Sequence, residues 1–352
     1  MTRILVARLD SVGDVLVSGP AIRAVAATPG AEVALLCSPE GAAAGRLLPG
    51  VDRVLTWSAP WIVDPAPAAT PEHVESLAGL LREWAPDEAV ILSSFHQSPL
   101  PLALLLRLAG VSRITGASTD YAGSLLDVRL RPGEDLVEDQ PEPERQLAIA
   151  RAAGHVLPAG DDGRLAVLAE ELPADVQALL PERFVVLHPG AQVEARTWPA
   201  ERARSCVPAL ARAGFDVVVT GGPSETGLTA SVAGVDGVDL GGRLSLGQLA
   251  TVLAQSEAVV VGNTGPAHLA AAVGAPVVSL FSPVVPAIRW APYRTPTILL
   301  GDQGAACRGS RARDCPIAGH PCLAGVTEHD VVRAVVDLAG RPSLIHEEGV
   351  AS

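Results

Sequence analysis

Short apolar runs alternate with amphipathic segments along the chain, and this alternation predicts its secondary structure. In the first half, aliphatic runs predict strands at Ile4–Ala7, Glu32–Leu36, Arg53–Thr56 and Ala89–Leu92. Segments with helical periodicity, bounded by Gly or Pro, predict helices at Val15–Ala27, Pro39–Leu48 and Glu72–Trp84. Such alternation is typical of a parallel sheet covered by helices on both faces.

The alternation restarts in the second half. Residues 131–145 are acidic, contain Pro and lack strand character, so a domain boundary lies near or shortly after them, and a helix over Glu144–Ala153 closes the first domain. Further strands are predicted at Phe184–Leu187, Asp216–Val219, Val238–Leu240, Ala258–Val261 and Pro276–Leu280. Further helices are predicted at Ala200–Ala213, Ser245–Gln255, Pro266–Val273 and Thr327–Leu338, with Ser245 and Ser224 in N-cap positions.

These elements predict an α/β fold with two Rossmann-like, doubly wound domains. A chain of 352 residues is long enough for two ordinary domains. We place the first domain at residues 1–165 and the second at 166–326. Residues 327–352 form a terminal helix and a polar tail that pack back on the first domain. Two such domains leave a cleft between the carboxyl ends of their strands, where ligands bind in sheets of this kind.

Composition narrows the range of functions. The net charge of −13 argues against a nucleic-acid-binding protein and against attraction to an anionic membrane, although a local basic patch remains compatible with it. The most apolar stretch, Pro99–Gly110, is too short to span a bilayer and contains Arg107. The first residues lack a signal-peptide pattern, and Cys37 and Cys206 are isolated, so we expect a soluble, cytoplasmic protein. All 26 cationic residues are arginine.

A glycine-containing turn follows the strand at Ala258–Val261. Pro266 suits the first turn of the next helix, whose start offers free N–H groups and a partial positive charge. Gly265 lets a ligand approach the backbone, and the Thr264 hydroxyl adds a donor. The turn therefore predicts a phosphate site, although an ordinary strand-to-helix turn explains it equally well.

Three similar turns follow other strands. The first carries Asp14, either a general base or a helix N-cap. The second follows His188 and leads to Arg196, which either grips a diphosphate or is a solvated loop charge. The third carries Glu225, which either accepts hydrogen bonds from ribose hydroxyls or belongs to the first turn of a helix.

The motifs, taken in order, resemble the bacterial heptosyltransferases of glycosyltransferase family 9. The matching segments are RILVARLDSVGDVLVSGPAIRA, HPGAQVEARTWP, VVVTGGPSE, LGGRLSLGQLATVLAQSEAVVVGNTGPAHLAAAVGAPVVSLF and CPIAGHPCLAGVTEHDVVRAV. The resemblance implies the two-domain GT-B fold and no essential metal or cofactor. It also implies transfer of a sugar from a nucleoside diphosphate donor, usually ADP-heptose, with inversion at the anomeric carbon.

The resemblance also implies roles for individual residues. Asp14 matches the family's general base, and Arg196 would steady the leaving diphosphate. On the acceptor side it implies Asp10, Ser11 and Gly13. For the donor, Glu225 would bind the ribose, and Leu244 and Ser245 would meet the base. The other expected donor-binding residues are Gly190, Ala191, Gln192, Asn263, Thr264, Gly265 and His268, although a packed helix histidine is an equal alternative for the last.

Two positions depart from the family pattern. Arg196 stands where the family usually has lysine, which keeps the charge in a chain without lysine but changes its geometry. The family commonly reads Gly-Asn-Asp-Thr-Gly-Pro, whereas this chain reads Gly262-Asn263-Thr264, so that Asn263 replaces an aspartate expected to touch the transferred sugar. This replacement puts the identity of the sugar in doubt.

Two groups of residues have open interpretations. Trp57 and Trp61 either form an acceptor platform or pack under the Pro-rich loop between residues 58 and 71. Cys307, Cys315 and Cys322 lack the spacing of a zinc ribbon; His320 or Asp314 would have to supply a fourth ligand, and free thiols are favoured.

The main hypothesis is therefore an inverting, metal-independent glycosyltransferase with Asp14 as general base. The acceptor is expected to be a small molecule or glycan, and the enzyme a monomer. Alternatives are a nucleotide-sugar epimerase or hydrolase on the same fold, which would consume donor without acceptor, a transferase that uses a GDP- or UDP-sugar, and a non-catalytic binding protein. The last has no need of the Asp14 carboxylate.

Overall fold

The structure is a computed structural model that describes residues 2–340. Residue contacts divide the chain into two compact units, Met1–Leu168 and Ala169–Ser352. This division falls close to the predicted boundary after residue 165. Each unit contains one six-stranded parallel sheet flanked by helices.

The first unit contains β1 to β6 and α1 to α6. Its strands are β1 (Thr2–Arg8), β2 (Ala31–Cys37), β3 (Arg53–Thr56), β4 (Glu88–Ile91), β5 (Arg113–Ala117) and β6 (Val128–Leu130). Its helices are α1 (Val12–Val17), α2 (Gly19–Ala26), α3 (Ala42–Leu47), α4 (Pro71–Trp84), α5 (Leu100–Leu108) and α6 (Glu142–Ala152).

The second unit contains β7 to β12 and α7 to α14. Its strands are β7 (Phe184–His188), β8 (Asp216–Val219), β9 (Gly237–Asp239), β10 (Ala258–Gly262), β11 (Val277–Leu280) and β12 (Thr297–Leu300). Its helices are α7 (Ala174–Gln177), α8 (Ala200–Arg212), α9 (Thr226–Ala233), α10 (Leu246–Gln255), α11 (Gly265–Ala272), α12 (Ala287–Trp290), α13 (Pro321–Ala324) and α14 (Glu328–Ala339). Short 3₁₀ helices span Glu194–Arg196 and Pro223–Glu225.

Both sheets have the same topology. The strand order is β3-β2-β1-β4-β5-β6 in the first unit and β12-β11-β10-β7-β8-β9 in the second. In each unit the order reverses between the first strand and the fourth, which are β1 and β4 or β7 and β10. Ligands bind beyond the carboxyl ends of the strands at such a reversal. The central strands are apolar because helices cover both faces of the sheet.

The predicted strands are confirmed, with ends that shift by one or two residues. The helix predicted over Val15–Ala27 is instead two helices, α1 and α2. The second has Pro20 in its first turn, where the ring cannot continue the preceding helix. The sequence-based reasoning missed the strands β5, β6 and β12 and the helices α5, α7, α9, α12 and α13.

Of the two predicted N-caps, the structure confirms one and contradicts the other. Ser245 is the N-cap of α10 and accepts a hydrogen bond from the Gln248 amide, as predicted. The prediction for Ser224 is wrong, because this residue lies inside a 3₁₀ helix that Gly222 precedes. The predicted terminal helix is α14, and it packs on α8 and β10–β12 of the second unit. Its packing on the first domain stays a prediction. The polar tail at 341–352 lies outside the described residues.

Among residues 2–340, no helix combines the length and apolar character needed to cross a bilayer. The apolar stretch at Pro99–Gly110 forms α5, whose Leu102 and Leu106 side chains are buried in the core of the first unit.

Candidate functional site

A buried arginine organises the carboxyl end of β1. The Arg8 side chain has no exposed surface, and it donates to the Leu92 carbonyl (3.1 Å) and the Ser94 hydroxyl (2.8 Å) beyond β4. Its Nη2 atom lies 2.7 Å from Asp14 Oδ1 and 3.0 Å from Asp10 Oδ2. Sequence reasoning missed Arg8, although a charge directly after the apolar run Ile4–Ala7 was a signal for it.

The carboxylate of Asp14 is held from two sides. Its Oδ2 atom accepts hydrogen bonds from the Ser11 hydroxyl (2.8 Å) and the Ser11 amide (3.3 Å), while Oδ1 faces Arg8. Ser11, not Asp14, is the N-cap of α1. Asp14 is the third residue of this helix, and its carboxylate accepts from the Ser11 amide as half of a capping box, so a helix-capping role stands beside that of general base. Its side chain is 20% exposed, which leaves the carboxylate accessible to a hydroxyl group. Gly13 beside it is buried.

Asp10 is a second carboxylate on the same guanidinium. Its Oδ1 atom accepts a hydrogen bond from Gln97 Nε2 at 2.6 Å, and Oδ2 faces Arg8. Burial raises the pKa of Asp10 to about 6 against the opposing attraction of Arg8, and the neighbouring charge of Asp14 raises it further. Asp10 therefore changes its charge just below neutral pH.

Two charges on α6 complete this cluster. Glu142 is fully buried, and burial raises its pKa while Arg8 and Arg145 oppose that rise. The Arg145 guanidinium, itself buried, donates to the Ser93 carbonyl at 2.5 Å. The last residues of the acidic segment 131–145 are thus helical and buried, not part of a solvated boundary. The only signal in the sequence that these residues are helical and buried was the group of apolar residues that follows them in α6.

The two tryptophans proposed as an acceptor platform pack against each other, with ring centroids 5.5 Å apart. Trp57 is buried in the core of the first unit, donates from Nε1 to the His73 carbonyl (3.1 Å) and stacks on the His73 ring. Trp61 is half-buried. This arrangement favours the packing alternative for Trp57, and acceptor binding by either residue stays a prediction.

In the second unit, Glu225 lies against the turn after β7. Its Oε2 atom accepts a hydrogen bond from the Gly222 amide at 2.7 Å. A Cβ atom added to Gly190 would lie 1.8 Å from Glu225 Oε1, so the carboxylate occupies the space that a side chain at position 190 would need. Nearby, His188 Nδ1 lies 3.0 Å from the Thr220 hydroxyl, and burial lowers the pKa of His188. The structure thus brings together the predicted Gly190 and Glu225.

Gly190→Ala is expected to weaken donor binding about 10-fold or more, because the new methyl group displaces the Glu225 carboxylate from its position. Calorimetric titration of the variant with the donor nucleotide measures this effect. Gly227→Ala is the matched control, since a Cβ atom there meets nothing within 4 Å. Equal nucleotide affinity for both variants and the unmodified protein would contradict the prediction.

The Arg196 segment contacts the turn after β10. A Cβ atom added to Gly262, the last residue of β10, would lie 3.0 Å from the Arg196 carbonyl oxygen, a tight contact that would push the two segments apart by a few tenths of an ångström. The C-terminal loop anchors the segment from the other side, because the Ala195 amide donates to the Arg313 carbonyl (2.8 Å). The structure thus brings the backbone at Arg196 close to the end of β10, and binding of the diphosphate by its guanidinium stays a prediction.

The N-terminus of α11 matches the predicted phosphate turn. Thr264 is the N-cap, Gly265 opens the helix, and the Thr264 side chain makes no capping hydrogen bond. Both residues are half-buried. His268 is buried one turn later with its ring edge-on to Trp290, at 6.2 Å between centroids. Phosphate binding by His268 stays a prediction.

The Asn263 side chain binds the backbone beyond β11. Its Nδ2 atom donates to the Ser282 carbonyl and its Oδ1 atom accepts from the Ser282 amide, both at 3.3 Å. Asn263 is 5% exposed. The predicted contact with the transferred sugar is untested, and both ends of the amide are already used in holding two strand ends together.

Asn263→Asp, which restores the residue that the family resemblance implies, is expected to lower the free energy of unfolding by about 1–3 kcal/mol, because a buried carboxylate cannot donate to the Ser282 carbonyl. Urea denaturation measures the loss. The loss of stability should become smaller at low pH, where the introduced carboxyl group, once protonated, could again donate to the Ser282 carbonyl. A loss that is independent of pH would contradict this explanation.

The expected base-binding residues lie at the start of α10. Leu244 is half-buried, and Ser245 is exposed with its hydroxyl hydrogen-bonded to the Glu170 carboxylate. The Glu170 amide also donates to the Gly247 carbonyl (3.2 Å). Ala191 is half-buried and Gln192 exposed in the turn after β7. No pattern in the sequence pointed to Glu170.

The cysteines are all free thiols. Cys307 and Cys322 are buried in the core of the second unit, and Cys315 packs against it. Burial raises the pKa of Cys322, and the nearby Cys307 and Cys315 raise it further. Within the described part of the chain, no three His, Cys, Asp or Glu side chains are placed to hold a metal ion.

With this geometry in view, comparison with known proteins identifies the family. The sequence model of glycosyltransferase family 9 (heptosyltransferase) matches residues 96–318, which is more than half of the chain. The chain belongs to glycosyltransferase family 9. It is therefore a glycosyltransferase, as the sequence motifs implied.

Individual relatives agree with this assignment. The chain is 29% identical to lipopolysaccharide heptosyltransferase 1 of Pseudomonas aeruginosa over 301 residues, 81% of this chain and 79% of the relative. The solved family 9 glycosyltransferase of Veillonella parvula has 18% identity and a TM-score of 0.75, covering 96% of this chain and 97% of that one. An E. coli heptosyltransferase solved with ADP-2-deoxy-2-fluoro heptose has 20% identity and a TM-score of 0.70, covering 96% and 99%. These likenesses confirm the predicted fold, two Rossmann-like domains of the GT-B type.

In this family 9 protein, the candidate residues form two groups, one in each unit. Asp10, Ser11, Gly13 and Asp14 lie at the carboxyl end of β1 in the first unit. The expected donor-binding residues and Arg196 lie in turns and helix starts of the second unit, most of them around β7 and β10. The first group follows the first strand of its sheet. Most of the second group follows the first and fourth strands, whereas Glu225 follows β8, and Leu244 and Ser245 follow β9.

Proposed function

We propose that the protein transfers a heptose from ADP-heptose to an acceptor hydroxyl with inversion at the anomeric carbon, and that Asp14 is the general base. The observation that carries this proposal is the partly exposed Asp14 carboxylate, which Arg8 and Ser11 orient at the carboxyl end of β1. An inverting transfer needs such a base, because the attacking hydroxyl must lose its proton as the new bond forms.

The proposed donor rests on the relatives and on the second unit. One relative is a lipopolysaccharide heptosyltransferase, and one solved neighbour holds an ADP-heptose analogue. The helix start at Thr264 and Gly265 offers backbone N–H groups to a diphosphate, and the Glu225 carboxylate can accept hydrogen bonds from ribose hydroxyls. These features suit a nucleoside diphosphate.

In the proposed reaction, the acceptor oxygen forms a bond to the anomeric carbon while its proton passes to Asp14. The bond between that carbon and the diphosphate breaks, and the electron pair leaves with ADP. The Arg196 guanidinium and the N-terminus of α11 stabilise the negative charge that develops on the leaving diphosphate. No metal ion is needed in this scheme, because the arginine and the helix supply the positive charge.

We propose a small-molecule or glycan acceptor and a cytoplasmic location. The net charge of −13 is unsuited to a nucleic-acid partner or to an anionic membrane surface. The free cysteines are compatible with a reducing compartment.

Calorimetric titration with ADP, GDP, UDP and dTDP tests the donor, and ADP is expected to bind tightest. Incubation with ADP-heptose, with and without an acceptor glycan, then tests the reaction. Rapid donor consumption without acceptor would favour the epimerase or hydrolase alternative, and preferred binding of GDP or UDP would overturn the ADP-sugar assignment. NMR of the product reports the anomeric configuration, which must be opposite to that of the donor.

A further inference from the structure

The charges around the proposed base raise a chemical difficulty. A carboxylate that pairs with a fully buried guanidinium is stabilised in its ionised form and loses basicity. Arg8 is fully buried and lies 2.7 Å from Asp14. Paired with Arg8 alone, Asp14 would therefore be a weak base for a sugar hydroxyl.

Asp10 shares the nitrogen atom that Asp14 uses. Arg8 Nη2 lies 3.0 Å from Asp10 Oδ2 and 2.7 Å from Asp14 Oδ1. Gln97 holds the other oxygen of Asp10 at 2.6 Å, so that the carboxyl group is fixed toward Arg8. The Asp10 Oδ2 atom is buried and makes no hydrogen bond, only this ion-pair contact. One positive charge thus serves two carboxylates.

We propose that Asp10 is a positioning residue that keeps Asp14 basic, because it shares the single positive charge of Arg8 with the base. This inference rests on the proposed function of Asp14. While Asp10 is ionised, its negative charge offsets part of the positive charge of Arg8 that Asp14 experiences. This favours uptake of a proton by Asp14. The acceptor hydroxyl therefore loses its proton to a stronger base than an isolated Arg8–Asp14 pair would provide.

The remaining charges near the pair are on α6. Glu142 is buried and interacts with Arg8, Asp10 and Asp14, and Arg145 lies on the same helix beside it. The burial-raised pKa of Asp10, about 6, means that it is mostly ionised at neutral pH and loses this charge in mild acid. The sharing of Arg8 thus operates at neutral pH and ceases as Asp10 takes up a proton.

The test is the pH profile of kcat/KM for Asp10→Asn, which removes the charge and keeps the shape. We expect the acid limb to move to lower pH by on the order of one unit and the plateau to fall a few-fold, up to about 10-fold, because the remaining base is weaker. The donor KM should not change. Asp10→Glu, which restores a carboxylate, should restore most of the plateau. A purely structural role for Asp10 would not move the acid limb in this direction.

Asp135→Asn is the matched control. Asp135 is also paired with an arginine, Arg131, at 2.7 Å, but it lies near the edge strand β6 and makes no contact with Arg8. This variant loses the same charge by the same substitution, and its profile should superimpose on that of the unmodified enzyme. If Asp10→Asn unfolds, Asp10→Ser removes the same charge with a smaller side chain and is measured instead.

The outcomes separate this inference from the proposed function. An unshifted acid limb in Asp10→Asn, or one at higher pH, would overturn the inference while leaving Asp14 as base. Complete loss of transfer in a folded Asp10→Asn would also overturn it, because Asp10 would then act directly in the chemistry. Full activity of Asp14→Asn would instead overturn the proposed function.

Discussion

Asp14→Asn is expected to reduce kcat about 10²- to 10⁴-fold, the usual contribution of a general base, while the affinity for ADP stays within about twofold. The amide has nearly the shape of the carboxylate but cannot take a proton from the acceptor. The substitution also removes one acceptor of the Ser11 hydrogen bonds at the start of α1, so some loss of stability will accompany it.

Stopped assays with ADP-heptose and calorimetry with ADP measure the two effects separately. Thermal unfolding followed by circular dichroism shows whether the first unit remains folded. Asp135→Asn again serves as the control for an arginine-paired aspartate. Turnover at the normal rate by a folded Asp14→Asn enzyme would exclude Asp14 as the base.

Arg196→Gln is expected to lower kcat about 10²- to 10³-fold, because the leaving diphosphate loses a positive charge that becomes most important in the transition state. Arg196→Lys should retain activity within about 10-fold, since the family usually places lysine at this position and an ammonium group keeps the charge. Arginine presents a planar, two-pronged group, and the shorter lysine fits differently.

Arg202→Gln is the control for this prediction, because Arg202 lies on the same unit and pairs with Glu328 at 3.1 Å on the surface of α8. Its kcat should equal that of the unmodified enzyme. Steady-state kinetics with saturating donor distinguish the variants. If Arg196→Gln raised only the donor KM and left kcat unchanged, Arg196 would bind the ground state and the transition state equally.

Local patterns sufficed to predict most of the fold. The central strands β1, β4, β7 and β10 are buried on both faces, and burial of this kind leaves uninterrupted apolar runs in the sequence. Missed strands such as β6 and β12 are short and lie at sheet edges, and β6 carries a charged residue. Such strands owe their conformation to the neighbouring strand, which a local pattern cannot reveal.

The candidate site was predictable only in part. Glycines and carboxylates in strand-to-helix turns, such as Asp14 and Glu225, are recognisable from local sequence. Contacts between distant segments are not, and Glu142 meets Arg8 only because α6 packs beside β4 and β5. The two hydrogen bonds between the Asn263 side chain and the Ser282 backbone were likewise not predictable, because the two residues follow different strands.

If the proposed function is correct, the division of the candidate residues between the two units has an evolutionary consequence. The base and its charge partners belong to one contact unit, and the diphosphate-binding turns belong to the other. Selection can therefore change the acceptor through substitutions in residues 1–168 while the donor pocket in the second unit is inherited unaltered. Chimeras that exchange the first unit between relatives should accordingly inherit the acceptor preference of one parent and the nucleotide preference of the other.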